Sequence, residues 1–228
     1  MKKILLLIQF VCLFTLHALA QTVNIEAIKE KAGRGDADAQ LTLGICYQYG
    51  DGVAKDTTQA VFWYRKSAEQ GNVKAQTLLG NNYILGYGVA KDITQGVKWL
   101  TKAVEQGYAG AQYMLGIFYY TGETIPQDCA RAEDLFRKAA NQGYKNAQFA
   151  MGQYYSEGKC VTKDSIQAEI WYKRAADNGS AKHQCYLGLC YLIGDGVPQS
   201  KAKAIYWLEK AAEQGDEDAK EFVKELKE

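Results

Sequence analysis

The chain has 228 residues, of which 47% are hydrophobic and 23% charged, with 27 basic and 26 acidic side chains. Its charges alternate locally instead of forming runs, which argues against a nucleic-acid surface. With two prolines and no low-complexity linker, the chain reads as one continuous body after its leader.

Residues 1–20 read as a secretory signal peptide. Lys2 and Lys3 precede an apolar run from Ile4 to Leu16, and Ala18-Leu19-Ala20 supplies the small-residue cleavage site. The run is shorter than the ~20 residues a spanning helix needs. Cleavage removes two lysines and no acid, moving the formal charge from +1 to about −1. An exported chain, periplasmic or secreted, with no stable membrane span is expected.

Beyond the leader a glycine recurs every 36 residues, at Gly35, Gly71, Gly107, Gly143, Gly179 and Gly215. A second set follows nine residues later, at Gly44, Gly80, Gly116, Gly152 and Gly188. A fixed period of this length marks a repeat array. The expected organisation is an N-terminal capping helix in 21–35, repeats at 36–71, 72–107, 108–143, 144–179 and 180–215, and a charged C-terminal capping helix in 216–228.

Each unit reads as two helices and a loop. In the first, Ala39, Leu43 and Tyr47 fall on one face of helix A. Gly44 inside that helix costs about 1 kcal/mol against alanine, so its recurrence predicts a close approach of two helix backbones. Gly50 is expected to end helix A as a left-handed cap. Asp56 with Gln59, Asp92 with Gln95 and Asp164 with Gln167 have capping-box spacing at the start of helix B. Helix B then carries Trp63, Trp99, Trp171 and Trp207, with Leu135 standing in once. The Gly-rich loop fits turn geometry, not a phosphate cradle, because no strand precedes it.

Five cysteines remain after leader removal, an odd number in an oxidising compartment. Cys129 and Cys160 share an edge of the array and are the expected disulfide pair. Cys185 and Cys190 point apart on one helix, and with Cys46 they are read as small buried hydrophobes.

The repeated pattern resembles the Sel-1-like repeat family, relatives of the tetratricopeptide arrays. In the first unit the match runs through Ala39, Leu43, Gly44, Tyr47, Gly50, Gly52, Val53, Asp56, Ala60, Trp63, Ala68 and Gly71. Departures are local: His183 and Met151 in helix A, Thr124 and Cys160 in the loop, Leu135 and Ser200 in helix B and its cap. The resemblance implies an all-α, right-handed α-solenoid that acts as an adaptor for a protein or peptide. Some cysteine-rich relatives bind or hydrolyse β-lactams, so the resemblance also implies an alternative: an envelope protein that binds a cell-wall glycopeptide or β-lactam, as a β-lactamase-like hydrolase or without turnover.

The residues themselves argue against catalysis. His183 is the one histidine left after cleavage, at a slot that is alanine elsewhere. With Cys190 it offers two metal ligands where zinc takes three or four. Two S-x-x-K strings begin at Ser156 and Ser200, without the companion motifs of a serine β-lactamase. No enzyme activity, cofactor or metal is expected, and the chain is read as a monomer.

Recognition is expected where the repeats differ. Three variable helix A slots lie at i, i+4 and i+7, sharing a face opposite the fixed Ala–Leu–Tyr stripe. First helices line the concave side of helical-hairpin arrays. The predicted partner-binding residues are Asn81, Tyr113, Ile117, Tyr120, Phe149 and Gln153.

Overall fold

The structure, a computed structural model, describes residues 25–177, 179 and 181–228. The leader expected at 1–20 lies outside the described residues. Every described element is helical: α1 (Ile25–Gly33), α2 (Ala37–Tyr49), α3 (Thr57–Glu69), α4 (Val73–Leu85), α5 (Ile93–Glu105), α6 (Ala109–Thr121), α7 (Cys129–Asn141), α8 (Lys145–Glu157), α9 (Ser165–Asp177), α10 (Ala181–Ile193), α11 (Lys201–Glu213) and α12 (Glu217–Lys227). The described residues divide into two compact units on either side of the Lys102–Ala103 bond, each described by itself below. In the first unit α1 to α4 each pack on the next helix in sequence, and in the second α6 to α12 do the same, as a stack of hairpins does.

The mid-helix glycines are explained by what faces them. A Cβ on Gly44 would lie 2.6 Å from the Tyr64 ring, one on Gly116 2.7 Å from Phe136, and one on Gly188 2.7 Å from Leu208. The obstacle is therefore mostly a helix B side chain, the one after the tryptophan slot, and not a second backbone as the sequence suggests. At Gly80 the backbone does intervene, because the Gly96 carbonyl stands 2.8 Å from the Cβ position.

Helix ends follow the sequence with one substitution of partner. Gly50 at φ 87° and Gly86 at φ 75° cap their helices in the left-handed region. Asp56 accepts from the Thr58 and Gln59 amides, Asp92 from Gln95 and Asp164 from Gln167. No described glutamine returns the bond that a capping box requires. The cap residue's own N–H donates instead to the fixed helix A tyrosine: Asp56 to the Tyr47 carbonyl, Asp92 to Tyr83, Asp128 to Tyr119, Asp164 to Tyr155 and Ser200 to Tyr191. The loop is thus tied back onto the helix before it, and the cap donor is already satisfied.

A buried amide ladder links successive hairpins. Gln40 donates to the Ala32 carbonyl at 3.1 Å, Gln76 to Ala68 at 3.1 Å, Gln148 to Ala140 at 3.2 Å and Gln184 to Ala176 at 3.1 Å. Gln70, Gln142 and Gln214 then donate to the Oε1 of Gln40, Gln112 and Gln184. These glutamines keep the 36-residue spacing, which was the available signal for a contact that sequence reading passed over.

Candidate partner-binding site

The variable helix A slots are not a free face. Leu41, Thr77, Ile84, Ser156 and Cys185 are buried, and Leu41 packs with Tyr64, Ala75 and Leu79. Variation there reflects different ways of filling the space between hairpins, because cores tolerate exchange at constant volume.

In the second unit the predicted aromatics are half-buried and interlocked. The Tyr113 ring lies 5.5 Å from Tyr144 and 6.2 Å from Phe136. Tyr120 lies 6.1 Å from Phe136 and 5.8 Å from Tyr154. Phe149 meets Tyr186 edge-on at 4.6 Å and contacts Tyr172 and His183. Ile117 packs on the same cluster as Tyr113 and Tyr120. Such tilted and edge-on pairs are favoured aromatic geometries, so these rings hold structure as well as offering partial exposure.

Polar groups at this face divide into engaged and available. Tyr120 donates to Glu157 at 2.5 Å, and the Lys159 ammonium stands 5.2 Å from its ring. Burial, and then the Glu157 bond, push the Tyr120 phenol well up, so it stays protonated. The Gln153 side-chain amide, half-buried, has no hydrogen-bond partner among the described residues. In the first unit Asn81, also half-buried, is equally unengaged.

The fixed tyrosine stripe carries its own polar network. Arg65 donates to Tyr83 at 2.7 Å, Arg131 to Tyr119 at 3.1 Å and Arg137 to Tyr155 at 3.1 Å. Tyr191 donates to Glu169, which also receives Lys203.

Residues with catalytic appeal hold structural posts. Ser156 is buried, with its hydroxyl 2.9 Å from the Tyr172 hydroxyl. Ser200 caps α11 by accepting from Lys203. His183 meets Phe149 edge-on, and burial, then Lys145, hold its imidazole below the usual range. Cys129 and Cys160 are joined in a disulfide, while Cys46, Cys185 and Cys190 are buried thiols. Burial pushes Cys185 up to about 11 and Cys190 to about 12, far from thiolate character at neutral pH. Among the described residues no group of three or more His, Cys, Asp or Glu is placed to hold a metal, and no helix is long and apolar enough to cross a membrane.

The Sel1 repeat model matches residues 37–72, 73–108, 109–144, 145–180 and 183–216. The chain belongs to the Sel1 repeat family. Its fold class is the all-α repeat solenoid, and Sel1 repeats commonly serve as scaffolds for protein–protein interaction. Over 69 residues it is 45% identical to the secretory immunoglobulin A-binding protein EsiB of Escherichia coli, covering 29% of this chain and 14% of that protein. The crystal structure of c5321, a protective antigen of uropathogenic Escherichia coli with this fold, aligns at 40% identity and TM-score 0.74, over 90% of this chain and 44% of that one. A Sel1 repeat protein from Oxalobacter formigenes aligns at 36% identity and TM-score 0.74, over 89% of this chain and 58% of that one. This Sel1 repeat chain therefore spans less than two thirds of each of these relatives.

Proposed function

We propose that the chain is an exported, non-catalytic scaffold that captures a protein or peptide partner through its first helices. In the second unit the recognition surface is Tyr113, Ile117, Tyr120, Phe149 and Gln153; in the first it is the corresponding slot, Asn81. The observation that carries this reading is the pairing of half-exposed aromatic edges with carboxamides that no described residue engages. Rigid aromatics beside adaptable amides suit an extended peptide or a partner helix. Membership of a family of interaction scaffolds supports it, as does the antibody-binding name of one relative. Export is supported by the leader pattern at 1–20 and by the Cys129–Cys160 bridge.

The test compares capture of protein from an envelope extract by the wild-type chain and by Gln153→Lys and Ile117→Lys variants. A captured protein should be lost from both variants while their helical circular dichroism is retained. Equal capture by wild type and variants would remove the surface from consideration. Capture of cell-wall fragments in place of protein would replace the reading.

A further inference from the structure

A recess of about 310 Å³ opens in the first unit between the loop of the first repeat and that of the second. It is lined by Gln48, Tyr49, Lys55, Thr57, Ala60, Asn82 and Tyr87. Asn82 is 4% exposed, and its side-chain amide has no hydrogen-bond partner among the described residues. The carboxamide lines an open recess, so its donor and acceptor are both available to a ligand. Gln48 is free to assist it. The buried Tyr64 hydroxyl donates to the Gln48 Oε1 at 2.6 Å, which leaves the Gln48 NH₂ group to donate elsewhere. Tyr49 and Tyr87 are 67% and 60% exposed, so their rings are open to a ligand.

The array supplies its own control. The same register position recurs in the second unit, 108 residues on, as a recess lined by Ser156, Lys163, Ser165 and Asp195. There Glu157 replaces Tyr49, Cys190 replaces Asn82 and Asp195 replaces Tyr87. The hollow therefore belongs to the repeat geometry, whereas the two tyrosine rings and the carboxamide belong to the first unit's recess alone of these two.

We infer that the recess between the first two repeat loops binds a single hexose or hexosamine ring. A carboxamide presents a donor and an acceptor side by side, which matches a vicinal pair of hydroxyls, each both donor and acceptor. Exposed phenol rings offer flat apolar faces to the C–H side of a sugar with their own hydroxyls left in water. No carboxylate lines the recess, and Lys55 is its one charged group, so an amino-sugar's neutral acetamide or a plain hydroxyl is accommodated. The volume lies at the low end of the ~300–1,000 Å³ of ligand pockets, suited to one ring in place of a chain. This site is separate from the helix A faces, so it stands or falls independently of the peptide-scaffold reading.

The test is saturation-transfer NMR on the full chain with glucose, galactose and N-acetylglucosamine in turn, and with N-acetylglutamate as a peptide-like probe. At least one sugar should show transfer to its ring C–H protons. Its binding should weaken by about tenfold or more in Asn82→Leu, through the lost hydrogen bonds, and in Tyr87→Ala, whose exposed position leaves folding intact. Asp195→Ala, in the second recess, should change nothing. Absence of transfer to every sugar, transfer unchanged in Tyr87→Ala, or binding of N-acetylglutamate without any sugar would each overturn the assignment.

Discussion

Gln70 donates its side-chain amide to the Oε1 of Gln40 at 2.7 Å, across 30 residues of sequence, while Gln40 donates to the Ala32 carbonyl. One buried carboxamide thus joins three helices, because it is donor and acceptor at once. Replacing Gln40 with leucine fills the same volume but removes both bonds, leaving the Ala32 carbonyl only the Gly35 N–H and the Gln70 amide only the longer contact to the Lys66 carbonyl. The expected loss is about 1–3 kcal/mol, read as a lower urea midpoint with an unchanged slope. Gln70→Ala, at an exposed position, should cost less.

How much of this was legible depended on whether a residue's role follows from its own chemistry. Gly50 and Asp56 declare themselves, since few side chains do what a left-handed cap or a carboxylate cap does. Cys129 and Cys160 could be paired because the period works as a ruler. The ladder glutamines were equally periodic, yet glutamine is at home on surfaces and in helices, so nothing in its chemistry announced burial. Tyr47 and its counterparts gave up a backbone carbonyl to the next cap, a role that no side chain encodes. The variable slots misled for a different reason. Leu41, Thr77 and Cys185 differ in shape because each interhelical gap is filled differently, and sequence shows the variation without the neighbour that compensates for it. Asn82 escaped notice because the recess it lines exists only once two loops are brought together.

Gly152 packs directly under the Tyr172 ring, which occupies the space a Cβ would need. Tyr172 is itself buried and bonded to Ser156, so it has little room to retreat. Gly152→Ala should therefore destabilise by about 1–3 kcal/mol despite the gain in helix propensity. Gly33→Ala, at the end of α1 with nothing within 4 Å of its Cβ position, should be neutral or stabilising by up to about 1 kcal/mol. Thermal melts of the two variants should move in opposite directions. A loss at Gly33 as large as at Gly152 would refute the steric explanation.

The Cys129–Cys160 bridge closes a segment with a sequence separation of 31, from the start of α7 to the loop after α8. Cross-linking at that separation constrains the unfolded chain, and its removal should cost about 2–5 kcal/mol. Cys129→Ser with Cys160→Ser should lower the urea midpoint, and dithiothreitol should then have no further effect on the variant. Thiol titration of the denatured, unreduced wild-type chain should give two fewer thiols than the reduced chain. Cys46, Cys185 and Cys190 should react only after unfolding, because all three are buried.

His183 gives the stability a specific dependence on pH. Its ring lies 5.5 Å from Phe149, and burial, reinforced by Lys145, holds its folded pKa below the ordinary 6.5. The unfolded chain therefore binds a proton at a higher pH than the folded chain does. Between the depressed folded value and about 6.5 the unfolded state holds more protons, so stability rises with pH across that window. Acidification from neutrality should weaken the fold through this group, and the loss should level off once the folded imidazole also protonates. His183→Gln removes the titration and should flatten that part of the profile without changing its alkaline side. Urea midpoints measured at half-unit steps from pH 7.5 to 4.5 would show it, and identical profiles for wild type and variant would mean that His183 carries none of the dependence.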